Sequence, residues 1–289
     1  MNRPELRPYA VGEIIDAAIR LVTGNARALF TISALIFIPL GALQVLAYSA
    51  VGGSDLLSLV NSLVVESALD EQQIDRLIDA MQRLLSLGLL LALLAGVGTA
   101  VMQAATAKTA TDLHRGIIPS WRDSIGFGLG RPFALLGAVI LVGLGSSIGL
   151  ILCLVPGIWL FASWSVTVPA LVVERRGPIQ AMQRSFQLAK GRLGPVLVVV
   201  LISSLVYGTV SYTFSLLASV LTFAGQSGDL PMSVAASVIS STVSSILVQP
   251  FIAAATIVLY LDLRVRAEDY DLQKMKTEIG DDSSPPTPS

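Results

Sequence analysis

The sequence predicts an all-α polytopic membrane protein with six transmembrane helices and cytoplasmic amphipathic interfacial helices. Three observations carry this. Of 289 residues, 53% are hydrophobic and only 13% are charged, whereas soluble domains carry roughly a quarter charged residues. Six stretches are apolar enough to cross a hydrocarbon core that takes about 20 residues of helix. The basic residues fall almost entirely on alternate connectors, the asymmetry that orients multi-pass proteins.

The amino end comes first. Arg3, Arg7, Arg20 and Arg27, together with Glu5, Glu13 and Asp16, precede the first apolar run. That run comes too late for a secretory signal, so no cleaved signal is expected. Glu13, Asp16, Arg20, Thr23 and Arg27 share one stripe of a helix, with Ile14, Ala18 and Leu21 on another, an amphipathic pattern. The six spans follow at about 29–51, 84–107, 133–155, 157–173, 195–223 and 234–261. The third and fourth are separated only by CLVPGI, where Pro156-Gly157 is a turn signal, so they form a tight hairpin.

The connectors decide orientation. The amino end, the second and fourth connections and the tail hold four, four, five and four Lys or Arg residues, against two, none and none on the other side. Both termini are therefore expected in the cytoplasm of a cell-membrane protein. On the outer side, DEQQIDRLIDAMQR at 70–83 has Asp70 and Gln73 in capping-box spacing. Its stripe of Ile74, Leu77, Ile78, Met81 and Leu85 begins the second span outside the bilayer, and LLSLVNSLVV before it lies on or dips into the outer leaflet. Residues 1–273 form one membrane domain. Residues 274–289, polar and with three prolines, are expected to be a disordered cytoplasmic tail.

The segment ERRGPIQAMQRSFQLAKGRLGP at 174–195 repeats the amino-terminal design. After Pro178 it places Ile179, Met182, Phe186, Ala189 and Leu193 on one face, with Arg184 and Lys190 largely off it. The connector GIIPSWRDSIGFGLGRP is a third version with Trp121, Ile125 and Leu129 in line, weakened by its glycines. Each helix enters a span through a small residue and an arginine, in GNARALF, LGRPFAL and KGRLGPV. The chain thus reads as three units of amphipathic helix plus two spans, although shared topology alone produces the same pattern.

Such helices lie in the interface with basic residues on anionic headgroups. Arg20, Arg27, Arg131, Arg184, Lys190 and Arg192 are the candidate headgroup contacts. A cytoplasmic protein partner is the alternative use of the same surface. Nucleic acid is not expected, because Phe186 is the only aromatic among these basic residues and the segment is tethered at both ends to the bilayer.

Reactive groups are scarce. One histidine, His114, and one cysteine, Cys153, argue against a histidine-built metal site, an intrachain disulfide and a Ser/His/Asp set. No catalytic residue, metal or cofactor is expected. The span interiors hold no ionisable residue; Glu174 and Asp262 sit at span ends. Two polar features remain. Ser237, Ser241, Ser245 and Gln249 follow at i+4 in the sixth span, with Ser240 and Ser244 beside them, and Ser204, Gly208, Ser211 and Ser215 form a small-residue stripe in the fifth. They read either as close helix packing with interhelical hydrogen bonds or as the wall of a polar cavity, with Gln249-Pro250 the expected polar break. Gly145 and Gly149 have the spacing of a close helix crossing or a dimer face.

The stretches RPYAVGEIIDAAIRLVTGNARALF, LVPGIWLFASWSVTVPALVVERRGPIQAMQRSFQLAKGR and QPFIAAATIVLYLDLRVRAEDYDL together resemble the membrane domain attached to some glycerophosphoryl diester phosphodiesterases. Related stand-alone prokaryotic membrane proteins of unknown function share it. The resemblance spans about 3–273 and implies a bacterial-type membrane protein without the soluble phosphodiesterase barrel. It supplies no active-site residues. The expectation is a non-enzymatic membrane scaffold or lipid-interacting module. The alternatives are a transporter or channel-like protein for a small solute or lipid, and a membrane subunit that docks a cytoplasmic enzyme.

Overall fold

The computed structural model describes residues 9–50, 71–224 and 230–281. These residues are helical almost throughout, and no strand occurs among them. In chain order the helices are α1 (Val11–Gly24), α2 (Ala26–Ala50), α3 (Glu71–His114), α4 (Trp121–Leu129), α5 (Pro132–Leu152), α6 (Leu154–Ser163), α7 (Thr167–Val173), α8 (Pro178–Ala189), α9 (Leu193–Ala224) and α10 (Leu230–Asp281). Six are long and apolar enough to cross a membrane when α6 and α7 are taken as one broken span: Ala26–Tyr48, Ile78–Leu113, Pro132–Leu152, Leu154–Val173, Leu193–Val220 and Ala235–Ala267. The protein is therefore an all-α, six-span bundle with short helices at one end. The LLSLVNSLVV segment, Asp70 and residues 282–289 lie outside the described residues. The last helix itself runs to Asp281, past the expected tail boundary at 273.

The spans form two layers. The second span of each unit, α3, the α6–α7 pair and α10, meets the other two at the centre of the bundle. The first spans α2, α5 and α9 each sit between two of these inner spans. The short helices follow the same order, each packing on the inner span of the preceding unit: α4 on α3, α8 on α7, and α1 on α10, which closes the ring. The register repeats too. Ala18, Val22, Leu29 and Ile32 are buried in the first unit. Ser124, Gly128, Leu135 and Ala138 are buried at the same spacing in the second, and Ser185, Ala189, Val196 and Val199 in the third. The same backbone hydrogen bond opens each first span, donated by Leu29 to Asn25 at 3.1 Å, Leu135 to Arg131 at 3.1 Å and Val196 to Arg192 at 3.3 Å.

Local chemistry explains two departures from the sequence reading. The hairpin between the third and fourth spans turns at Cys153, not at Pro156-Gly157, which lie in the first turn of α6. Proline is tolerated there because first-turn amides have no intrahelical partner. Gly157 serves the close approach instead, since a Cβ on it would stand 2.6 Å from the backbone of Leu150. The Gly145 and Gly149 pair is used in the same crossing: a Cβ on Gly145 would meet Trp164 at 2.6 Å, and one on Gly149 would meet Leu160 at 2.9 Å. It is an intramolecular crossing, not a free dimer face.

The second departure is Gln249-Pro250, where α10 continues without a break. Proline removes the amide that would bond the carbonyl four residues back, here that of Ile246. The hydroxyl of Ser33 on α2 donates to that carbonyl at 3.1 Å. The defect is sealed by a neighbouring helix, which is how membrane helices tolerate proline. A genuine break occurs instead at Trp164–Val166, between α6 and α7. There the hydroxyl of Ser185 on α8 donates to the freed carbonyl of Ser163 at 2.8 Å.

Candidate functional site

Two places hold the functional candidates: the end of the bundle where α1, α4 and α8 lie, and a cavity among the spans.

At the bundle end the short helices turn their small residues inward. Ala17, Ala18 and Val22 of α1, Ser124 and Gly128 of α4, and Ala181, Ser185 and Ala189 of α8 are buried. A Cβ on Gly128 would come within 3.0 Å of the Val101 carbonyl, and Ser124 shares a hydrogen bond of 3.2 Å with Thr109 of α3. The bulkier apolar residues are displaced to an outer face, where Leu129 is 54% and Ile179 59% exposed. Trp121 is exposed beside them, and the Arg122 guanidinium stands 5.1 Å from its ring centre. Phe186 packs edge-on to Trp159 with ring centres 5.4 Å apart. The buried faces are thus mostly small, with Ile14 of α1 and Leu188 of α8 as the bulky exceptions, and other apolar and basic residues are left outside.

The six candidate basic residues divide. Arg27, Lys190 and Arg192 are exposed and have no acidic partner among the described residues. Arg131 is exposed and donates to the Arg176 carbonyl at 3.3 Å. Arg20 is exposed but paired with Asp16. Arg184 is turned inward, its Nε donating to Glu174 at 3.0 Å. Its role is internal, because Glu174 at the end of α7 needs a cation where it is largely buried.

Glu174 has further partners. The Arg176 Nε stands 2.5 Å from its other carboxylate oxygen, and the fully buried Tyr260 of α10 donates its hydroxyl to Glu174 at 3.0 Å. Burial alone raises the Glu174 pKa. The hydrogen bonds from Arg184 and Tyr260 and the charges of Arg184 and Arg176 outweigh it, so the carboxyl titrates below its ordinary value. Two other inner-span ends carry buried acids with cations: Asp112 with Lys108 on α3, and Asp262 with Arg266 on α10 at 2.9 Å. Asp262 also accepts the Tyr9 amide at 2.6 Å, while Arg266 donates to the Tyr9 carbonyl at 2.8 Å. Of these, the Asp262 pair joins α10 to the amino end, whereas the Asp112 pair lies within α3. Among the described residues, no three of His, Cys, Asp and Glu converge.

The cavity has a volume of about 470 Å³ and is walled by α3, α5, the α6–α7 break, α9 and α10. Most of its lining is apolar and none of it is charged. The hydroxyls of Thr99, Thr167 and Thr256 in the lining are bonded to carbonyls of their own segments at 3.0, 2.7 and 2.8 Å. The Oε1 atoms of Gln103 and Gln249 and the hydroxyl of Ser165 are buried without a partner among the described residues. All three residues line the cavity.

The serine stripe does not accompany Gln249 into it. Ser237 and Ser241 are exposed on α10 and Ser245 is half-buried. The buried serines of that helix are Ser240 and Ser244. Of the fifth-span stripe, Ser204 lines the cavity, whereas Gly208 and Ser215 are exposed. Gln103 and Ser165 were not singled out in the sequence. The available signal was a glutamine inside an otherwise apolar span, MQAATA, whose amide must find a partner wherever it is buried.

No protein-family model, curated protein or solved structure matches the chain.

Proposed function

We propose that the protein is a non-enzymatic, multi-pass module of the cytoplasmic membrane that holds anionic lipid headgroups on the face formed by α1, α4 and α8, with both termini in the cytoplasm. The observation that carries this is the presence of unpaired cations beside exposed apolar side chains at one end of a six-span bundle. Arg27, Lys190 and Arg192 have no acid to neutralise them among the described residues, and Leu129 of α4 and Ile179 of α8 are exposed. An interfacial helix needs this pairing, with apolar residues for the acyl boundary and cations for headgroup phosphate. Each lysine or arginine near an anionic surface contributes about 1 kcal/mol. The resemblance to the membrane domain of glycerophosphoryl diester phosphodiesterases accords with such a role but contributes no residues to it.

The test is lipid selectivity in reconstituted bilayers. Spin-labelled phosphatidylglycerol should show a larger motionally restricted fraction around the protein than spin-labelled phosphatidylcholine, and the difference should shrink as salt screens the rim. Equal fractions at low salt would remove the reading.

A further inference from the structure

We propose that the cavity among α3, α5, α6–α7, α9 and α10 binds a neutral amphiphile of the long-chain alcohol class, with its hydroxyl donating to the amide oxygen of Gln103 or of Gln249. The cavity lies within the size range of small-molecule sites, about 300–1,000 Å³, at about 470 Å³. Its apolar lining suits a hydrocarbon body. Its polar atoms demand something more specific.

Two unpaired amide oxygens and an unpaired serine hydroxyl destabilise the fold while they remain unsatisfied. A carboxamide oxygen accepts and cannot donate, so the missing partner must bring a donor hydrogen. A hydroxyl supplies one such hydrogen, for the amide oxygen of one glutamine, and can also accept from Ser165. The lining contains no charge, so an ionised headgroup there would be uncompensated at membrane depth, a costly arrangement. The α6–α7 break adds a local polar element, because Pro169 has no amide to give the Ser165 carbonyl. Non-helical backbone at this depth is tolerated where it lines a cavity. Among the described residues, five buried side-chain atoms lack partners, and three of them belong to Gln103, Ser165 and Gln249, residues that line this one space.

The inference rests on the bundle being in a bilayer and not on headgroup binding at the rim, so the two fail separately. Trp164 lines the cavity and is the reporter. The full chain carrying Trp121→Phe and Trp159→Phe is placed in phosphatidylcholine nanodiscs containing dibrominated stearyl alcohol. The controls are dibrominated stearate and brominated phosphatidylcholine at equal bromine content. The alcohol should quench Trp164 most strongly and be displaced by unlabelled stearyl alcohol.

Gln103→Leu with Gln249→Leu should weaken that binding at least about tenfold, the loss of a hydrogen bond of about 1.4 kcal/mol. The ligand-free double variant should melt at or above the parent temperature, because its orphaned amides are gone. Gly143→Leu tests the same site by volume, since no atom lies within 4 Å of a Cβ there; it should weaken binding without removing a polar group. Equal quenching by all three brominated compounds would overturn the proposal. So would quenching of Trp164 by aqueous acrylamide without alcohol selectivity, which would make the cavity a wet path for a polar solute.

Discussion

Glu174 shows what a single carboxylate does at a span end. It is held by Arg176, Arg184 and Tyr260 from three different stretches of chain, and it therefore ties α7, α8 and α10 together. Its folded pKa lies below the ordinary value of 4.5. A depressed carboxylate contributes stability that is fully present above the ordinary value and is lost as pH falls through the lower, folded one. The melting temperature of the purified protein should therefore fall on acidification below about pH 4.5. Glu174→Gln should melt lower at neutral pH, by about 2 kcal/mol of stability, with a flatter acid limb. Ser33 acts on a smaller scale by bonding the Ile246 carbonyl that Pro250 leaves free. Ser33→Ala should cost about 1–2 kcal/mol, and Pro250→Ala in the same chain should recover most of it by restoring the helix's own amide. Thermal unfolding of the two variants and the pair measures both.

Among the elements, the hairpin of α5 and α6 depends on backbones that nearly touch. Gly157→Ala places a methyl against the Leu150 backbone, which cannot move aside as a flexible side chain could, so that variant should lose several degrees of thermal stability. Gly88→Ala is the control: nothing lies within 4 Å of its Cβ, and an alanine in mid-helix should be neutral or stabilising by about 0.5–1 kcal/mol. The sequence showed all six spans, because twenty-residue apolar runs have few other solutions in water. It also showed the three short helices from their 3.6-residue periodicity. Which face turned inward was not legible. In α4 and α8 Trp121, Leu129 and Ile179 stay outside while Ile125 packs on the core, and the bundle takes Ser124, Gly128, Ala181, Ser185 and Leu188 from faces that periodicity did not mark. Helices packed close in a membrane protein select small side chains rather than apolar ones. Periodicity reports polarity and is blind to that preference. In α10 the adjacent serine lines are equal in size and polarity, so only the fold distinguishes the buried Ser240 and Ser244 from the exposed Ser241.

At the scale of the molecule, the three units close into a ring tied at the inner-span ends by Glu174, which joins Arg184 and Tyr260, and by the Asp262–Arg266 pair, which holds Tyr9. Removing one partner of a buried pair leaves the other uncompensated. Asp262→Ala should therefore loosen the amino end, which Tyr9 anchors through that pair. Limited proteolysis should then release the first helix before the bundle is cut. The ring leaves cations spare at its rim, the feature that sequence could count but not sort. Arg184 and Arg192 lie on one short connector, yet the first is spent on Glu174 and the second is free among the described residues. Only the fold distinguishes them.

Native mass spectrometry of the protein released from membranes containing phosphatidylglycerol, beside the Arg27→Ala, Arg131→Ala, Arg192→Ala variant, tests the headgroup-binding reading most directly. With three rim cations at about 1 kcal/mol each, the wild type should retain bound phosphatidylglycerol and the variant should hold it on the order of 100-fold more weakly. Identical lipid retention by the two proteins would contradict the account.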